Sequence, residues 1–444
     1  MKDIELGPRL VEAVDELIIR CRSYTTLERY YRGLHPMAYV TNAFRKRFAG
    51  TLAGLTDNLC PLVVDTISGR LILDSFVPSD DGGGQDVDQQ IAQLQRTWRF
   101  DGEQRAIHKD AVLFGDAYAL LWDDGTGHRL TRQRPWQVAI LYSDEVVGEI
   151  DAAVKIVPIG PKKSTRFYRV CVYYPDRLER FTTSSKITLT AVKSAFLVED
   201  EDVPVETHDY QRVPMFHWPN GVGAGEFGVS ELETVIPMQD RLNKALFDSV
   251  VSEEARSYPQ RVFTGLEMQI DPETGEKTTG INPLDPFVAL ENENAKAMVL
   301  SPGDGSAVIQ TIENTRLEIA RLSAVPSYFF SANGQVPSGA ALRVMESPLQ
   351  TKVEDRQVTF GNVWEDVISA ATGQSVRSVW RDTSPITLSE KLTAGQQMKA
   401  LGIPKARIYQ DVLNLDSEEA QELADQSEAE AQAVAERNAQ QMFR

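Results

Sequence analysis

Apolar positions recur at helical spacing along several stretches of this chain and alternate along others. Ile4, Leu10, Val14, Leu17 and Ile18 would share one face of a helix, predicted over residues 3–32. Asn58 to Leu73 is an apolar run broken by Gly69. The link Ser79 to Gln85 holds three glycines, which impose no backbone preference. Val87, Ile91, Leu94 and Trp98 then mark a second helical face. From Asp116 the period shortens. Asp116–Trp122, the turn at Asp123-Asp124-Gly125 and His128–Arg132 read as a hairpin. Val138–Tyr142, Glu149–Val157, Phe167–Tyr174 and Leu178–Thr183 follow as short strands, the last two joined at Pro175-Asp176-Arg177. Short strands with tight turns predict an antiparallel meander, so the first half is α+β.

The second half is mainly helical. Ser230 and Glu233 form an S-x-x-E capping box, which places a helix start there. Leu232, Ile236, Leu242, Leu246 and Val250 continue one apolar stripe. Pro237 must open a new segment or kink that helix, because it lacks an N–H and crowds the preceding turn. Arg261 to Leu300 is rich in Gly, Pro and Asn, with strand candidates at Arg261–Thr264 and Ala297–Leu300. Val308, Ile312, Ile319 and Leu322 mark a further helix, ending before Pro326. Leu342, Met345, Leu349, Val353, Phe360 and Val367 mark the longest one, over Ser338–Ala371. That helix would span about 50 Å, and Pro348 inside it predicts a kink. The final segment, Ser384–Arg444, reads as helical. From Asp416 onward it holds eight acidic residues against two arginines, most simply a solvated tail.

A chain of 444 residues, 42% hydrophobic and 25% charged, has room for two or three domains with buried cores. The net charge of −18 argues against tight nucleic-acid binding but not against a conduit, since carboxylates repel phosphate and prevent sticking. The small basic cluster Arg45-Lys46-Arg47 reads as a solvated patch. No apolar run approaches the roughly 18 residues of a membrane span, so no membrane is expected as a partner. The N-terminal residues show no charged-then-apolar leader pattern. Cys21, Cys60 and Cys171 are scattered and odd in number, without a C-x-x-C, which points to a reducing compartment such as a cytosol.

Candidate chemistry is sparse. Gly223 to Gly228 matches G-x-G-x-x-G, follows the strand-like Met215–Trp218 and precedes the capping box. A dinucleotide site uses such glycines to bring backbone N–H groups to a pyrophosphate at a helix N-terminus. Here Pro219 and Asn220 interrupt the strand. The first half also lacks alternating strands and helices, and the acidic position some 20 residues on, Asp248, falls inside a predicted helix. A nicotinamide-dependent enzyme is therefore only an alternative, beside a helical scaffold or adaptor. The sequence contains no Walker-type loop, no H-E-x-x-H and no G-x-S-x-G. The five histidines are dispersed. No catalytic residue, metal or cofactor is expected. Phe329 to Pro337 draws attention instead, because it is aromatic, then small and polar, and longer than most helix–helix connections.

The order of these parts resembles the portal proteins of tailed double-stranded DNA bacteriophages, the siphophage-type group in particular. FG-x-SELE-x-VIP-x-QDRLNKAL, Phe227 to Leu246, is similar to the family's lead-in to a first stem helix. VPSYFFS, Val325 to Ser331, is similar to the segment after the second, and PSGAALR, Pro337 to Arg343, to the start of the long helix. The family commonly has Glu where this chain has Ala340. The resemblance covers nearly the whole chain and implies an α+β fold. It divides the chain into a wing over 1–225 with antiparallel strands, a first stem helix over 226–258, and a small strand-containing clip over 259–303. A second stem helix over 304–325, a tunnel loop over 326–337, a long kinked helix returning to the wing over 338–383, and a helical crown with acidic tail over 384–444 complete it. The function it implies is a ring, a dodecamer, at one capsid vertex through which the genome is packaged, retained and ejected. The implied partners are other copies of the chain, the terminase large subunit, head–tail connector proteins, major capsid and scaffolding proteins, and double-stranded DNA passing without sequence preference. Localisation would be the virion, and the host cytoplasm during assembly. Ser331, Asn333, Gly334, Gln335 and Val336 would face the channel, and Pro348 would kink the long helix.

Overall fold

The structure is a computed structural model that describes residues 5–36, 56–78, 85–161, 163–199, 204–257, 261–264, 269–270, 277–278, 294, 296–299, 306–330, 338–383, 388–413 and 417–442. The cluster Arg45-Lys46-Arg47 and the loop residues Ser331 to Pro337 lie outside them.

The meander predicted from short strands and tight turns is present. β4 (Val138–Tyr142), β5 (Ile150–Ile159), β6 (Phe167–Tyr173), β7 (Arg177–Thr183) and β8 (Leu197–Glu199) pair in chain order, with β9 (Val205–Thr207) also on β7. Every pairing is antiparallel. Period two sends the residues of β5 and β6 to opposite faces. Ala152, Val154, Ile156, Val170 and Val172 meet α1 (Pro8–Tyr31) through its Leu10, Val14 and Leu17. Ala153, Cys171 and Tyr173 meet Tyr118, Leu120 and Met215 of a second sheet. That sheet has the order β10 (Met215–Pro219), β2 (Asp116–Asp123), β3 (His128–Gln133). Burial on both faces is why several of these strands read as nearly continuous apolar runs.

The largest core lies between the second sheet and the helices. α2 (Cys60–Ser68), α3 (Gln85–Trp98) and α4 (Phe100–Phe114) pack there with α7 (Gly339–Thr372), the longest helix. Phe100, Trp218 and Trp364 meet edge-on or tilted at its centre, with ring centroids about 5 Å apart. After α7 the chain forms β15 (Val376–Trp380), antiparallel to β1 (Leu73–Pro78). α5 (Ile236–Ser257) and α6 (Ser306–Ser323) pack against each other. Between them β11 (Arg261–Thr264) pairs with β14 (Lys296–Val299), and β12 (Gln269–Ile270) with β13 (Lys277–Thr278). α8 (Leu388–Ala400), α9 (Lys405–Leu413) and α10 (Ser417–Met442) close the chain.

Three expectations need correction. The helix expected at the capping box starts six residues later, at Ile236. Ser230 is already committed, because its Oγ donates to Leu113 O (2.6 Å) and accepts from Leu232 N (3.1 Å) in a tight turn. Pro237 then sits in the first helical turn, where no N–H is needed. On α6, Leu322 is exposed; the buried line is Ile312, Thr315, Ile319 and Ser323. Finally, α4 has no counterpart in the sequence reading. Gln104 and His108 interrupt its apolar stripe and are nonetheless buried, because each is bonded.

Candidate functional site

The buried polar groups are concentrated where α5, α6 and α7 join the sheets. Asp116 opens β2 with its side chain fully buried. Its Oδ1 accepts from Gly228 N (2.8 Å) and from His217 Nε2 (2.9 Å). Its Oδ2 accepts from the Tyr24 hydroxyl (2.6 Å) and from Arg20. With Nε2 donating to Asp116, His217 Nδ1 is left to accept from Tyr142. Burial alone would push the Asp116 carboxyl up. The hydrogen bond from His217, then the Arg20 guanidinium, outweigh it and hold the carboxyl below the usual range. Three acceptor sites filled by ring, hydroxyl and guanidinium, and one by a backbone amide, leave no open position for a substrate.

This cluster fixes the glycine-rich connector. Gly115, at φ +89, lies so close to Gly228 that a Cβ on Gly228 would stand 1.9 Å from Gly115 O. Asn220 N donates to the same carbonyl at 2.8 Å. Gly225, at φ +85, makes a left-handed turn against Gly148. The glycines of the G-x-G-x-x-G match thus serve turn geometry and backbone contact. No helix follows until Ile236, and all strand pairing among the described residues is antiparallel, an arrangement unlike the parallel strand–loop–helix unit of a dinucleotide site.

Glu231, three residues past Gly228, is the second centre. Lys352 Nζ and Arg356 of α7 donate to its two oxygens at 2.7 Å each. Asn220 Nδ2 adds a contact at 3.2 Å. Lys352 also donates to Ser323 O (2.9 Å), the last residue of α6. One carboxylate thereby ties the lead-in to α5, the end of α6 and the middle of α7. Burial would raise its pKa; Lys352 and Arg356 outweigh that, and it lies below the usual range.

Glu346, nearly two turns before Lys352 on α7, is the third. Arg70 donates to its Oε2 (3.0 Å) and the Tyr328 hydroxyl to its Oε1 (2.5 Å). Burial, then Glu346, pushes the Tyr328 hydroxyl up to about 12. With Phe330 buried, these contacts hold the chain on the near side of residues 331–337. Ser338 and Gly339 resume on the far side, exposed, at the start of α7. Pro348 lies inside α7 between Glu346 and Lys352, so the proline falls between two fixed points. Further along, His108 Nδ1 donates to Leu71 O and Nε2 accepts from Trp364 Nε1, both at 2.8 Å. Burial drives the pKa of this imidazole down to about 4. Asp57 links the two packed helices: Arg316 of α6 donates to its carboxylate (2.7 Å), and Gln239 of α5 to its carbonyl (2.6 Å).

Of the predicted positions, only Pro348 falls among the described residues. Asp116, Glu231, Glu346, Lys352 and Arg356 were not legible as a set, since the bonded partners lie up to 276 residues apart in sequence. No group of three or more His, Cys, Asp or Glu among the described residues could hold a metal ion.

Comparison with known proteins is consistent across sequence and structure. The family model for phage portal protein, SPP1 Gp6-like, matches residues 15–433. The portal protein of Mycobacterium phage D29 is 25% identical over 383 residues, 79% of this chain and 74% of that protein. That of Mycobacterium phage L5 is 27% identical over 225 residues, 46% of each chain. A chain from the virion of a native gene transfer agent particle shares the fold, with TM-score 0.51, 15% identity and coverage of 84% and 92%. A chain from the neck of the native particle computed with C12 symmetry has TM-score 0.50, 15% identity and coverage of 83% and 91%.

Proposed function

The chain belongs to the SPP1 Gp6-like family of phage portal proteins, and from that membership we propose that twelve copies close into a ring around a DNA-sized channel. As a portal protein it serves the capsid vertex in genome packaging and ejection. The observation that carries the mechanical reading is the Glu231 centre. It ties the lead-in to α5 and the end of α6 to the middle of α7 through buried charge, with both carboxylate oxygens bonded, as a load-transmitting joint requires. A dodecamer of 49.5 kDa subunits weighs about 594 kDa.

In this reading residues 1–225 form the wing, 226–258 and 304–325 the stem, 259–303 the clip and 384–444 the crown. The clip meets the terminase large subunit during packaging and head–tail connector proteins afterwards. Capsid and scaffolding proteins surround the wing. The ring sits in the virion and assembles in the host cytoplasm; the chain itself hydrolyses nothing. Ser331, Asn333, Gly334, Gln335 and Val336 face the channel. The segment has no Lys or Arg, so it cannot hold phosphate by ion pairs, and passing DNA meets little drag. Pro348 withholds one hydrogen bond from the Val344 carbonyl and bends α7 by more than roughly 20°. The deciding experiment is mass by light scattering together with images of the purified particle. A ring near 594 kDa with a central hole is expected; a monomer at all concentrations refutes the reading.

A further inference from the structure

The three C-terminal helices leave two complementary surfaces uncovered. α8 and α9 form a groove of about 240 Å³, walled by Leu392, Gly395, Ile408 and Val412, with Lys399 and Lys405 at its rim. Gly395 makes the groove: a Cβ there would stand 3.4 Å from Ile408 and 3.6 Å from Val412. Leu392 is 52% exposed, so the apolar wall faces solvent within one chain. Lys405 donates to Ser427 of α10, a neutral hydroxyl, which leaves its charge uncompensated by that contact.

The second surface is on α10. This helix runs 26 residues, about 39 Å, whereas α9 beneath it runs nine, about 14 Å. Ala420 and Ala424 are buried, and Ser427 is bonded to Lys405. After Ser427, Glu428, Ala429, Glu430, Gln432 and Ala433 are all exposed. α9 is too short to cover them. Leu423, Gln426, Glu430 and Ala433 follow one another at helical spacing, apolar and small residues mixed with acid. Leu423 is itself 39% exposed.

We propose that the overhanging part of α10 from a second copy of this chain occupies the α8–α9 groove, with its glutamates against Lys399 and Lys405. The occupant is a second copy because the groove is apolar with a basic rim and the overhang is small and acidic. The two surfaces lie on different parts of one module, so the contact is head-to-tail, the type that generates a ring when its rotation closes. The inference rests on the ring reading and adds to it a specific joint between neighbouring C-terminal modules.

The test uses full-length rings whose mass has been verified. With Cys21→Ser as background, Gln396→Cys and Ala433→Cys are combined and oxidised with diamide. A ladder of covalent multimers on non-reducing gels is expected, absent from either single variant. Lys399→Glu with Lys405→Glu should cut the yield by about tenfold, and Glu430→Lys should restore part of it, as expected for charge complementarity. Ring-sized particles that yield no multimers refute the docking and leave the ring standing. A multimer yield indifferent to the charge reversals also refutes it. A protein that scatters as a monomer at all concentrations refutes both readings.

Discussion

Replacing Glu231 by Gln tests whether the central joint holds α7. The carboxylate has only 7% of its side chain exposed and receives two charged donors at 2.7 Å. Gln preserves the shape and one acceptor but leaves Lys352 and Arg356, themselves 18% and 14% exposed, without a counter-charge. Removing one partner of a buried pair costs about 3–5 kcal/mol; the retained acceptor and the Lys352–Ser323 bond place this variant near the lower end, about 3 kcal/mol. At RT of about 0.59 kcal/mol this makes local opening about 150-fold more frequent. Native-state hydrogen exchange reads it directly: amides of Lys352 to Phe360 should accelerate by that factor, while those of β5 and β6 should not change. The effect has a defined pH window. A carboxylate whose folded pKa is depressed contributes fully above its unfolded value, about 4.5, and loses the contribution as pH falls through the lower folded value. The difference between wild type and variant is therefore constant from pH 7 to about 5 and shrinks below 4.5. Acceleration below about threefold, or equal acceleration in β5 and β6, would refute the assignment of Glu231 as the local joint.

Gly228→Ala forces a Cβ to within 1.9 Å of Gly115 O, backbone against backbone, and should cost about 3 kcal/mol in a denaturation series. Gly102→Ala, in α4 with nothing within 4 Å, should instead gain about 0.5–1 kcal/mol, which makes it the control for the same chemistry. His108, held neutral with its pKa near 4 against 6.5 unfolded, makes the unfolded state bind more protons between those values. Stability should thus rise with pH across that window by about 3 kcal/mol, and a His108→Phe variant should lack the slope in melting temperature. Deleting Ser331 to Gln335 should leave the ring intact while impairing genome packaging or retention; normal packaging by the deletion variant would reduce the segment to a connector.

What the sequence determined by itself is whatever depends on local period. The meander was legible to within two residues at most strand ends, because turn residues punctuate short runs of strand-forming residues. The long helix, predicted over 338–371, occupies Gly339–Thr372, because its stripe of Leu349, Val353, Phe360 and Val367 carries the helical repeat to Gly373, which ends it at φ +72. The order of motifs pointed to the family for a related reason: order survives where individual residues diverge. What only the tertiary structure decided is the pairing of polar groups. Ser230 looks like a helix cap until Leu113 O is brought to its hydroxyl. Gln104 and His108 break an apolar stripe until Leu71, Leu73 and Trp364 satisfy them, and α4 was hidden for that reason. Gly228 reads as part of a phosphate loop until Gly115 is packed against it. A buried polar residue is tolerated only with its partners, and those partners come from elements far apart in the chain, so the identity of a polar residue does not reveal its role before the fold assembles its neighbours.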